Sequence, residues 1–116
     1  MKKILFFFLF FVICFIPKQV LAFETVNPTS NFYINDYANL LSEETEHYIL
    51  NTSAALAKET TAQVVVVTVP SLDGMTIEDY AVQLYRQYGI GTSEDDNGLL
   101  LLLALEERQF RVEVGY

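Results

Sequence analysis

Glu94, Asp95, Asp96 and Asn97 follow one another inside a loop that opens with Gly89-Ile90-Gly91 and closes with Gly98. Carboxylates and an amide oxygen are the ligands that Ca²⁺ and Mg²⁺ prefer, so hard-cation chemistry has candidate residues here. The competing reading is a solvated turn, because Asp, Asn and Gly form turns in their own right. An EF-hand is excluded. With Gly98 at that motif's sixth position, Ser93 falls at the first and Ala104 at the twelfth, and neither supplies the required acid. Asp36, ahead of the first helix, is the distant partner. If both segments lie outside the carboxyl ends of the strands, Asp36 joins Asp95, Asp96 and Asn97 around one cation. Otherwise it caps a backbone N–H in the approach turn. Arg111 either contacts a substrate anion or pairs with Glu113 or Glu106 on an exposed strand.

Other chemistries have no residues to carry them. Neither a phosphate-cradling glycine motif with lysine nor a Gly-x-Ser-x-Gly turn occurs. His47 is the single histidine and falls on the polar side of a helix, where it is solvated. Asn51-Thr52-Ser53 matches a glycosylation acceptor formally but sits in mid-helix. Tyr80, Tyr85 and Tyr88 follow helical spacing and read as core residues with wet tips.

The chain has 116 residues, room for one domain. Met1-Lys2-Lys3, an apolar run over residues 4–16 and a tail ending Val20-Leu21-Ala22 have the three parts of a secretory signal peptide. Cleavage is expected after Ala22, because an apolar run of this length is short of the roughly 20 residues needed to span a bilayer. The exported part then keeps Lys58, Arg86, Arg108 and Arg111 against all 15 acids, a net charge of −11. Such a surface excludes nucleic acid as a partner and favours a cation. Cys14 leaves with the signal, so the exported domain has no thiol chemistry and its stability rests on packing. The expected location is periplasmic, extracellular or lumenal, with membrane association through a partner complex.

The elements that must position these residues can be read in order. Residues 23–33, with Asn27-Pro28, read as a linker. Ser42 caps a helix over residues 43–59, with Glu43 and Glu44 in its first turn. Thr45, Tyr48, Ile49, Thr52, Ala55 and Leu56 are the expected packing face of that helix. The β-branched run of residues 63–69, stopped by Pro70, predicts a strand covered on both faces. Thr76 caps a second helix carrying Ile77, Tyr80, Ala81, Leu84, Tyr85 and Tyr88 on one face, and Gly89 ends it. Residues 99–105 predict a buried strand parallel to the first. Residues 110–114 alternate, which predicts an antiparallel edge strand. The result is an α/β fold: a three-layer α/β/α sandwich on a mixed sheet, left incomplete because two helices must cover both faces.

Three blocks resemble the TPM-domain family, exported α/β/α modules that include a thylakoid-lumen acid phosphatase linked to photosystem repair. They are Ile34-Asn35-Asp36-Tyr37-Ala38-Asn39-Leu40-Leu41-Ser42; Gln63-Val64-Val65-Val66-Val67-Thr68-Val69 with Thr76-Ile77-Glu78-Asp79-Tyr80-Ala81; and Gly89-Ile90-Gly91 through Asp95-Asp96-Asn97-Gly98-Leu99-Leu100 to Arg111-Val112-Glu113-Val114-Gly115-Tyr116. The resemblance covers residues 34–116 and departs at its end, where similar proteins continue with a glycine, a Leu-Glu, a Thr-Asp or Ser-Asp segment and more helix. It implies a truncated or partial domain that binds a divalent cation, Ca²⁺ or Mg²⁺, and assists membrane or envelope protein complexes. Alternatively it implies a metal-dependent acid phosphatase, whose cation would bridge the ester and present a water.

Overall fold

The elements lie side by side in the sheet in the order in which the chain makes them. The computed structural model describes residues 25–91 and 94–115. These form β1 (Ile34–Asp36), α1 (Glu43–Thr60), β2 (Gln63–Val69), α2 (Ile77–Tyr88), β3 (Gly98–Ala104) and β4 (Gln109–Val114). The signal peptide expected over residues 1–22, the start of the linker, Thr92, Ser93 and Tyr116 lie outside the described residues. Among the described residues, no helix is long and apolar enough to cross a membrane.

One four-stranded sheet runs β1-β2-β3-β4, with β1/β2 and β2/β3 parallel and β3/β4 antiparallel. Together with its two helices it is the mixed α/β sandwich expected. The strand β1 is an addition to the sequence reading. It has three residues, paired from Ile34↔Val66 to Asp36↔Thr68, too few to display a period.

Both helices begin as their caps dictate. Ser42 Oγ accepts the Thr45 N–H at 3.1 Å, and Thr76 Oγ1 accepts the Asp79 N–H at 3.2 Å. Gly89, at φ +61°, closes α2 in the left-handed conformation that glycine adopts without steric cost. Strand alternation then separates two faces. On one, Val65, Val67 and Val69 of β2 and Leu100, Leu102 and Ala104 of β3 pack with Ile77, Tyr80, Ala81, Leu84 and Tyr88 of α2. Leu84, Leu100 and Leu102 have no exposure at all, and each contributes about 1.5–3 kcal/mol by burial.

The opposite face is covered unevenly. Helix α1 touches β1 and β2 and, among the described elements, neither β3 nor β4. Leu99, Leu101 and Leu103 are therefore half-buried, while Phe110, Val112 and Val114 of β4 are exposed. The packing face of α1 also needs correction. Glu46, Ile49, Leu50, Ser53 and Ala57 form its less exposed stripe, and Thr45, Tyr48, Thr52, Ala55 and Leu56 face outward. The helix lies over two strands only and brings the small Ser53, not its larger apolar side chains, to full burial.

Candidate functional site

The sequence-predicted ligands are divided between the two ends of the sheet. Asp36 closes β1 beside Thr68, near the carboxyl end of β2, whereas Asn97 and Gly98 enter β3 beside Gln63, the first residue of β2. Five residue steps along β2 separate the two positions, about 16 Å at the usual strand rise. The shared cation site of Asp36 with Asp95, Asp96 and Asn97 is thus not assembled. A loop that feeds into a parallel strand sits at its amino end, and Asp36 leaves a strand at its carboxyl end.

Asp36 is instead the acceptor that organises the turn into α1. Thr68 Oγ1 donates to Asp36 Oδ1 at 2.6 Å, and the N–H groups of Leu40 and Leu41 donate to Oδ1 and Oδ2 at 2.9 and 3.0 Å. Desolvation pushes this carboxyl up. Hydrogen bonds from Thr68, Leu40, Leu41 and the Glu46 side chain outweigh it and hold Asp36 below its ordinary value. Glu46 is raised by the same hydrogen bond. The capping reading of Asp36 therefore describes the turn.

At the amino end, backbone and side-chain hydrogen bonds pin the loop. Gln63 N–H donates to the Asn97 carbonyl at 3.1 Å, Gln63 Oε1 accepts the Gly91 N–H at 2.7 Å, and Asn97 Nδ2 donates to Thr61 Oγ1 at 2.9 Å. The Gly98 carbonyl accepts from Gly115 N–H at 3.2 Å and from the Tyr85 hydroxyl at 3.3 Å. Space explains the glycines. A Cβ on Gly98 would stand 2.6 Å from the Tyr85 hydroxyl and 2.8 Å from Gly91 N, and one on Gly115 would stand 2.8 Å from the same hydroxyl. Tyr85 thus plugs the junction of the α2–β3 loop with the end of β4.

An open cleft of about 510 Å³ lies at this junction, its wall including Tyr85, Arg86, Asp96 and Glu113. Burial, then Asp96, then Glu113 raise the Tyr85 phenol, so both carboxylates act on one point. Glu113 is buried, at 6 % exposure, and Arg111 Nε donates to its Oε2 at 3.1 Å, the simple pairing foreseen for Arg111. Glu94, Asp95 and Asp96 are exposed, and Asp96 has φ +46°, a left-handed conformation that aspartate tolerates. His47 is exposed beside Glu43, at 3.8 Å.

The four predicted ligands do not fit a single ion. Among the described residues no three His, Cys, Asp or Glu side chains converge as a metal-binding group. What the cleft offers is a pair of carboxylates, Asp96 and Glu113, near a hydroxyl. Sequence reasoning missed Glu113 because a strand acid that alternates with valines reads as solvent-facing. Gly91 and Gly98, mirrored by Gly115, were the signal of a crowded junction, whereas Gly89 serves the helix stop and a Cβ there would meet nothing within 4 Å.

Fold and junction define an α/β sandwich module with an open cleft at the amino ends of its parallel strands. The TPM domain family model matches residues 34–116, and the chain belongs to that family. A solution NMR structure of the N-terminal domain of a protein from P. gingivalis is similar, with 37% identity and a TM-score of 0.65. The match covers 72% of this chain and 54% of that one, so this chain spans about half of its length. No curated protein matches.

Proposed function

We propose that the chain is an exported TPM module that binds and does not catalyse. A divalent cation, Ca²⁺ or Mg²⁺, is held weakly at the amino-end cleft, where it steadies the loop for contact with a membrane or envelope protein complex. The observation that carries this reading is the placement of Asp96 and Glu113 beside Tyr85 in one cleft, where Asp96 supplies the free charge while Arg111 holds Glu113 and Arg86 shares the wall. Two carboxylates are fewer than a dedicated site supplies, so the ion keeps much of its water. Affinity then falls at the weak end for such sites, about 10⁻⁴ to 10⁻³ M.

The alternative, a metal-dependent phosphatase-like hydrolase acting on phosphate esters, draws on the family model, whose name includes the word phosphatase. Against it, Asp36 is engaged in capping and Arg111 is engaged with Glu113. A metal-titrated assay with a generic phosphate ester separates the two. The binding reading predicts a rise in melting temperature with added Ca²⁺ or Mg²⁺ and no turnover above blank. Turnover that depends on the cation and is lost in Asp96→Ala would replace it with the hydrolase.

A further inference from the structure

Strand β4 is the last of the sheet, and its outer edge pairs with no described strand. The backbone geometry fixes what that edge presents. Gly115 N–H donates to the Gly98 carbonyl, so by antiparallel alternation Glu113 and Arg111 are bonded to β3 opposite Leu100 and Leu102. Phe110, Val112 and Val114 therefore turn their N–H and C=O groups to the open edge. Their side chains lie on the face that α1 leaves bare, at 70 %, 46 % and 43 % exposure. Pairing with β3 is unbroken from Leu99↔Val114 to Ala104↔Gln109, and the strand has neither proline nor bulge. Proline and bulges are two of the devices that blunt sheet edges; a third, charge on the edge strand, is present here as the Arg111–Glu113 pair on the α2 face.

We propose that β4 pairs antiparallel with β4 of a second copy of this chain, centred on Val112. In that register the outward backbone groups of Val112 face those of the partner's Val112, and those of Phe110 face those of the partner's Val114. Aromatic and β-branched side chains are favourable cross-strand neighbours. On the other face Arg111 stands opposite the partner's Glu113, and Glu113 opposite the partner's Arg111. The charges also select the register. A slip of two residues one way sets Arg111 against the partner's Arg111, and a slip the other way sets Glu113 against the partner's Glu113. The residue order Phe-Arg-Val-Glu-Val is thus complementary to itself in one antiparallel alignment. Two forces limit the dimer. One strand pair is a small interface, and the chain's net charge of −8 opposes association. Physiological salt screens that charge beyond about 8 Å. A transient dimer follows.

Sedimentation velocity over rising protein concentration tests this on the full chain and on the chain from Phe23 onward. The average mass is expected to climb toward twice the monomer's. Val112→Pro removes the central outward N–H without touching the β3 ladder and is expected to leave a monomer at every concentration. Arg111→Glu is expected to do the same, because it places like charges opposite one another. The double reversal Arg111→Glu with Glu113→Arg restores complementarity and is expected to restore the doubled mass. A wild-type chain that stays monomeric throughout overturns the proposal. So does a dimer that survives both single substitutions, or an assembly that grows without stopping at two.

Discussion

The Thr68 hydroxyl donates to Asp36 Oδ1 at 2.6 Å and so ties β2 to the turn that leaves β1. The same carboxylate receives the N–H groups of Leu40 and Leu41, the residues that lead into the Ser42 cap of α1. One acid thus joins the edge strand, the central strand and the entry to the first helix.

Acidification should release that tie. The folded-state Asp36 carboxyl lies below its ordinary value, so its contribution is present above the unfolded pKa, about 3.9, and is lost as pH falls through the folded one. Asp36→Asn replaces an acceptor oxygen with a donor and is expected to cost about 1–3 kcal/mol at pH 7. Urea melts between pH 7 and 3 should show a shallower acid decline in this variant. An unchanged slope would mean that other carboxylates carry the acid dependence.

At the opposite end, Tyr85 and Gly98 are fitted to each other. Gly98→Ala places its Cβ against the Tyr85 hydroxyl, Gly91 N and Ile90 Cγ2, and should destabilise by about 1–3 kcal/mol. Tyr85→Phe loses the hydrogen bond to the Gly98 carbonyl, at about 0.5–1.5 kcal/mol. Because both act at one contact, chemical denaturation should show the double variant to be less destabilised than the sum of the singles. Strict additivity would contradict the contact.

Tyr85 also reports the charge in the cleft. Burial, Asp96 and Glu113 hold its phenol above the ordinary tyrosine value. With Asp96→Asn, the tyrosinate absorbance of this residue should develop at lower pH, nearer the ordinary value of about 10. A midpoint that stays in place would show that Asp96 does not act on the junction.

The two faces of the β3–β4 ribbon should respond differently to truncation. Leu102, fully buried under α2, should cost about 2–5 kcal/mol as Leu102→Ala. Phe110, at 70 % exposure, should cost no more than about 0.5 kcal/mol as Phe110→Ala at concentrations where the chain is monomeric. Thermal melts of both variants decide this, and a large loss from Phe110→Ala would mean that the bare face is covered.

Much of this architecture was legible in the residues. The β-branched run of β2, the caps Ser42 and Thr76, the Gly89 stop and the alternation of β4 each express a local rule, and each lies in the element foreseen. Strand β1 was hidden because its pairing with β2 is long-range and it has only three residues. The packing face of α1 was misread because its apolar residues are spread around the helix and only the sheet decides which of them turn inward. The candidate ligands could be named from chemistry, but the end of the sheet they occupy depends on strand direction. That is why Asp36 separates from Asp95, Asp96 and Asn97, and why Glu113 enters the cleft.

The central claim, a weak cation site at the amino-end cleft, is tested most directly by an NMR titration with Ca²⁺ and Mg²⁺ that follows backbone amides. The amides of Asp96, Gly98, Glu113 and Gly115 should shift together and saturate near 10⁻⁴ to 10⁻³ M, roughly the range of weak extracellular sites, and Asp96→Asn should abolish the response. Shifts confined to the Asp36 turn, or no saturable shift at any concentration, would contradict it.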